Sequence, residues 1–169
     1  MKIPFSKLLF LVGFCFVVAC GQDKNPYYDQ ILKSDEGQFR SAEIGASIES
    51  IKALEDSTFL REEISDYLHY DYTINMGNTY TVTYDFSEDD KLYEIEVAIF
   101  LDEIKDADAL YNNFSDYFNR KYSIGQQEDD GYMTWHTKST INQSRVAVSI
   151  INDSEAYGFL TILVRDLDY

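Results

Sequence analysis

Basic residues are scarce. Only 14 Lys and Arg stand against 30 Asp and Glu in 169 residues, a formal charge of -16. Duplex nucleic-acid binding needs a basic footprint on the phosphates, so no nucleic-acid partner is expected. Direct adsorption onto anionic lipid is disfavoured for the same reason. Cysteine is limited to Cys15 and Cys20, and histidine to His69 and His136. No His-Glu-x-x-His, Gly-x-Ser-x-Gly or phosphate-cradling glycine loop occurs, so the common motif-borne catalytic sites are missing. Apolar and aromatic residues are plentiful: 45% hydrophobic and 15% aromatic, with 14 Tyr and 11 Phe. That composition argues against disorder throughout. About 150 residues bury roughly 68–70% of their unfolded surface, enough for a sizeable core.

The N-terminus carries an address. Met1–Lys7 holds two lysines and no acid, and Leu8–Val18 is an unbroken apolar run. These are the n-region and h-region of a secretory signal. The run falls short of the ~20 residues a transmembrane helix needs. Val17-Val18-Ala19-Cys20 resembles a bacterial lipobox. The resemblance implies cleavage before Cys20 and acylation (palmitate) of Cys20. One acyl chain binds a membrane marginally, at about 0.8 kcal/mol per buried CH₂, whereas two or three anchor stably. Cys15 leaves with the signal. Cys20 is then the sole cysteine, so neither an intramolecular disulfide nor a cysteine nucleophile is available. The expected organisation is a signal peptide over 1–19, a lipidated Cys20 with a flexible tether over 20–39, and one domain over 40–169. The tether rests on turn signals at Gly21, Asn25-Pro26 and Ser34–Gly37. As coil it spans roughly 20–25 Å.

Within the domain, Ser47 is placed to cap a short helix through Ile48, Ile51 and Leu54. The polar stretch Glu55–Glu63 is expected to hold a second short helix. Strict alternation then predicts a three-strand meander. Its inward residues are Leu68, Tyr70, Tyr72, Ile74 and Met76, then Tyr80, Val82, Tyr84 and Phe86, then Tyr93, Ile95, Val97, Ile99 and Leu101. Asp106 or Asp108 caps a longer helix. Its apolar stripe is Ala107, Leu110, Tyr111, Phe114, Tyr117 and Phe118. Three more strands are predicted at 132–138, 145–152 and 157–167. The expected fold is α+β: a two-layer sandwich of about six antiparallel strands with two or three helices on one face, in αβββ-αβββ order.

Gly45-x-Ser47-Ile48-Glu49-x-Ile51-Lys52 resembles the Gly-x-Ser-x-x-x-Val-Lys helix start of small envelope lipoproteins. Arg120-Lys121-Tyr122 followed by Trp135 resembles their Lys-Tyr-Gly-x-Pro … Trp pattern, with Ser123-Ile124-Gly125-Gln126 where the Gly-Pro stands. The group is similar to BamE-like lipoproteins and β-lactamase-inhibitor-protein-like folds. The resemblance implies assembly-scaffold or inhibitor-binding roles, and no functional residue transfers from it.

Chemistry-bearing clusters are few. His69, with Asp71 and Thr73 at i+2 and i+4, has the makings of half a metal or acid–base site, but reads more simply as a solvated strand residue. His136 reads the same way. Acidic runs at Asp85–Asp90, Asp102-Glu103 and Glu128–Asp130 invite Ca²⁺, but their spacing departs from the calcium-loop pattern and each falls where a turn is needed. No cofactor is expected. The polar outer face of the meander turns apolar at Phe100, and Ile151, Phe159 and Leu163 join it by alternation. An apolar patch rimmed by acids suits a partner protein. The expected function is a non-catalytic interaction domain, lipid-anchored in the bacterial cell envelope, at the outer membrane rather than the inner, that binds another envelope protein. A ligand-binding lipoprotein for a glycan or Ca²⁺ is the alternative. A small envelope hydrolase is the third reading.

Overall fold

A computed structural model describes residues 24–169. The signal peptide, Cys20 and the start of the tether lie outside the described residues.

The architecture is α+β, with one antiparallel sheet of eight strands and three helices. In chain order these are α1 (Tyr28–Leu32), α2 (Ile48–Leu54), β1 (Leu60–Ile64), β2 (Tyr67–Asn75), β3 (Asn78–Phe86) and β4 (Leu92–Leu101). Then come α3 (Ile104–Tyr122), β5 (Gln126–Gln127), β6 (Met133–Lys138), β7 (Arg145–Asn152) and β8 (Gly158–Asp166). The strand order across the sheet is β1-β2-β3-β4-β8-β7-β6-β5. Two four-strand meanders therefore meet at their last strands, β4 and β8. The expected αβββ repeat gains one short strand at the start of each half.

Alternation sets the layers. Leu68, Tyr70, Val82, Tyr84, Ile95, Val97, Ile99, Leu160, Ile162, Val164, Val148 and Ile150 are all buried on the helical side. Helix α3 lies across β4, β6, β7 and β8. It buries Ala107, Leu110, Phe114, Tyr117 and Phe118, the stripe expected from spacing. Gly158 sits under Ala107, where an added Cβ would come within 3.0 Å of the Ala107 Cβ, so the glycine lets helix and strand approach closely. Trp135 packs on Phe118 at 5.1 Å between ring centroids and donates its indole N–H to Asn119. Ser47 caps α2 by accepting from the Ser50 N–H.

Five expectations need correction. Glu55–Glu63 holds no α-helix, only a single 3-10 turn at Ser57–Phe59 capped by Asp56, and the chain then runs out as edge strand β1. Met76 is not inward; it forms the two-residue hairpin tip with Gly77 (φ +94°) and is 97% exposed. Tyr93 is not core either. Asp85 pairs with Glu94 but Phe86 with Leu92, so Tyr93 is the extra residue of a bulge. Its ring stacks on Tyr169 instead. Helix α3 starts at Ile104, before the expected caps, and its N-cap, Glu103, makes no side-chain hydrogen bond.

The fifth concerns the tether. Lys24–Phe39 is packed rather than free. Tyr28, Ile31 and Leu32 are buried at i, i+3 and i+4, and Phe39 is fully buried. The Asn25 N–H donates to Asn113 on α3 at 2.8 Å. The Tyr28 ring packs tilted against Phe114 at 4.8 Å between centroids, and Phe39 meets Phe114 edge-on at 5.7 Å and Phe118 at a tilt at 5.9 Å. These aromatic contacts favour docking over the entropy of a free coil.

Candidate functional site

The face opposite the helices begins as threonines and acids. His69, Asp71 and Thr73 on β2 face Thr83, Thr81 and Thr79 on β3. The next strand carries Glu94, Glu96, Ala98 and Phe100, and these pair with Arg165, Leu163, Thr161 and Phe159 of β8. Thr161 and Leu163 then pair with Ile151 and Ser149 of β7. The four residues expected to form an outward patch therefore share one face. Phe100 and Phe159 are direct cross-strand partners with ring centroids 4.9 Å apart. Ile151 and Leu163 continue from them across two strands. All four are half-buried. Among the described residues all three helices lie on the other face.

Acids frame this patch. Glu94 binds Arg165 at 2.5 Å. Asp85, beside Glu94, is pushed up to about 6 by burial and by the charges of Glu94, Glu96 and Asp66. Beside Leu163 lies a hollow of about 310 Å³ lined by Asp130, Tyr132, Thr134, Ser149 and Arg165. The Thr134 and Ser149 hydroxyls bond each other at 2.9 Å.

The histidine expected as half a site sits in a surface ladder. His69 Nε2 is 2.9 Å from Asp71 and Nδ1 is 3.1 Å from the Thr83 hydroxyl; Arg61 pairs with Asp71 from the edge. That is the hydrogen-bond order of a hydrolase triad. It stands on a strand face, outside the hollow just described. Its shape is that of a cross-strand network holding β1, β2 and β3 in register. His136 is exposed on β6. Among the described residues no three His, Cys, Asp or Glu side chains converge as metal ligands, and the acidic runs occupy turns.

Two features escaped the sequence. The first is a buried polar cluster beneath the first meander. Arg40 is 1% exposed and the Glu55 side chain 0%. Arg40 donates to both Glu55 oxygens at 3.2 Å and to the Ile31 carbonyl at 2.6 Å. Tyr72 and Tyr84 donate to the same carboxylate at 2.7 and 2.5 Å, and Lys33 at 2.6 Å. The guanidinium lies over the Tyr72 and Tyr80 rings. Burial pushes Glu55 up, but the Arg40 charge and these donors outweigh it and bring Glu55 to about 2. Every charge here is spoken for, so the cluster fastens the N-terminal segment and α2 to the sheet rather than offering a reactive group.

The second is a groove of about 520 Å³ between α1 and the C-terminal end of α3. Lys24, Lys33, Arg120 and Lys121 line it with Tyr28, Tyr117, Asp29 and Asp35. From sequence, Arg120 and Lys121 entered only through the resemblance carried by Arg120-Lys121-Tyr122, which places no groove.

Comparison with known protein families, with curated protein sequences and with solved structures gives no match.

Proposed function

We propose that this chain is a lipid-anchored protein of the bacterial cell envelope, held by acylated Cys20, whose domain binds another envelope protein without catalysis. The observation that carries the binding half of this reading is the Phe100–Phe159 pair with Ile151 and Leu163 on an open sheet face. Glu96, the cross-strand partner of Leu163, borders it, with Asp85 and the Arg165-paired Glu94 beyond. Charge complementarity therefore specifies the partner: an apolar centre rimmed by Lys and Arg. Lipobox and apolar run support the anchor.

The test pairs one double variant with two readouts. In Phe100→Asp/Phe159→Asp, the protein co-purifying in stoichiometric amount from detergent-solubilised membranes is lost, while the melting temperature stays near that of the parent. Unfolding or aggregation of the variant means these rings are structural, and retention of the partner places binding elsewhere. The anchor has its own check: Cys20→Ser abolishes partitioning into the detergent phase, and full partitioning of that variant refutes the lipid link.

One observation favours a second reading. The hollow beside Leu163 combines a carboxylate, a guanidinium, two hydroxyls and the Tyr132 ring, a mixture suited to a glycan. Heat stabilisation by an envelope glycan, with no protein recovered, would move the assignment there.

A further inference from the structure

The charge of this protein is unevenly spread. Twelve of the 14 bases follow Cys20, against all 30 acids. Yet the groove between α1 and the end of α3 is lined by four of those bases and only two acids, Asp29 and Asp35. Not all four charges are free. Lys24 pairs with Asp29 at 3.2 Å, and Lys33 reaches inward to Glu55. Lys121 donates to neutral oxygens, the Asp35 carbonyl and the Tyr117 hydroxyl, and stands over the Tyr117 and Tyr122 rings. Arg120, exposed on the last turn of α3, makes no ion pair with any described residue. The groove is therefore a local cationic spot on an acidic molecule.

Its position relative to the expected anchor is constrained by the covalent chain. Asn25 is buried and bonded to Asn113 and to the Asp106 carbonyl. Only Gly21–Lys24 separate it from Cys20. Even fully extended, that connection spans about 17 Å. The fastened segment thus keeps the domain close to the bilayer, and Lys24 in the groove wall is the base nearest to Cys20.

The geometry points to a headgroup seat. This groove takes the phosphate of an anionic phospholipid from the membrane holding the Cys20 anchor, so the domain rests on the bilayer by this face. The inference rests on the anchor proposed above. The expectation that the acidic domain shuns anionic lipid holds for the net charge and fails locally, because charges beyond a Debye length of about 8 Å are screened.

The full chain, reconstituted through its N-terminus into vesicles of phosphatidylcholine alone or mixed with phosphatidylglycerol, provides the test. Lysines are labelled with an amine reagent and read by mass spectrometry. Labelling of Lys24 and Lys121 is expected to fall about threefold or more in the anionic vesicles, with Lys138 unchanged, because each base near such a surface is attracted appreciably. The fall disappears in about 1 M NaCl, where the Debye length is about 3 Å. It also disappears in Arg120→Glu but persists in the charge-matched control Lys105→Glu. Equal labelling in the two vesicles, or an unchanged fall in Arg120→Glu, overturns the headgroup seat alone. Protection by inorganic phosphate added to phosphatidylcholine vesicles reassigns the groove to a soluble anion and overturns it too. A chain that floats with neither vesicle refutes the anchor and this inference with it.

Discussion

The two halves of the molecule, 40–101 and 102–169, share one order, a helix followed by four antiparallel strands, yet they cover those strands differently. In the second half a 19-residue helix spans its sheet and brings a dry aromatic layer of Phe114, Phe118 and Trp135. In the first half α2 has seven residues, too few to cover β1–β4. The gap is filled by the N-terminal segment and by charge: Arg40, Glu55 and the hydroxyls of Tyr72 and Tyr84. Apolar packing tolerates any pH. An ion pair does not, and it must be complete to be stable in a dry site. Similar topology thus coexists with different sensitivities.

The largest effects come from breaking each half at its own centre. Glu55→Ala strands the Arg40 charge and should cost about 3–5 kcal/mol. Trp135→Ala should cost a similar ~3–5 kcal/mol through its cavity. Urea unfolding measures both, and acid separates them. Glu55 drops from its ordinary 4.5 to about 2 in the fold. Its stabilisation is therefore complete above pH 4.5 and lost as pH falls from there towards 2. The parent and Trp135→Ala should lose stability across that window, and Glu55→Ala should lose less. A Glu55→Ala chain that tracks the parent would mean the pair contributes nothing.

A smaller effect of opposite sign belongs to Asp85. Its folded value is raised from 3.8 to about 6 by burial and neighbouring acids. The folded state then holds the proton more tightly than the unfolded chain, so stability falls as pH rises through that interval. Asp85→Asn should melt above the parent at pH 7 and close to it at pH 4; an equal difference at both would assign the gain to something other than titration. The smallest effects sharpen the comparison at its margins. Met76→Ala in the first half and Ile124→Ala in the second, both almost fully exposed, should each shift stability by no more than about 0.5 kcal/mol. A larger loss from either would reveal packing not accounted for above.

What could be read from sequence follows the same division. Period-two alternation located β2, β3, β6, β7 and β8, and it put Phe100, Ile151, Phe159 and Leu163 on one face because that face changes only when register slips. The stripe of α3 was visible because one face packs on the sheet along four turns. Tyr93 failed where a bulge adds a residue silently. Strand β1 is a charged edge, with no buried face to leave a period, and β5 has only two residues. Arg40 and Glu55 lie 15 residues apart, and nothing local marks them as partners. The docking of Tyr28 and Phe39 depends on aromatic surfaces that exist only once α3 is in place.

The pairing of β4 with β8 has a consequence for how the chain is made. The central seam of the sheet joins Leu92–Leu101 to Gly158–Asp166, a strand made only after α3, β5, β6 and β7. A chain emerging from its N-terminus has a hydrophobic strand ready long before the mate that closes it. Until then β4 is an open edge, the kind of surface that captures other strands. Late, non-local closure of this kind slows folding and leaves a strand edge open to aggregation in the meantime. Deletion of Gly158–Asp166 would remove the middle of this sheet rather than its rim.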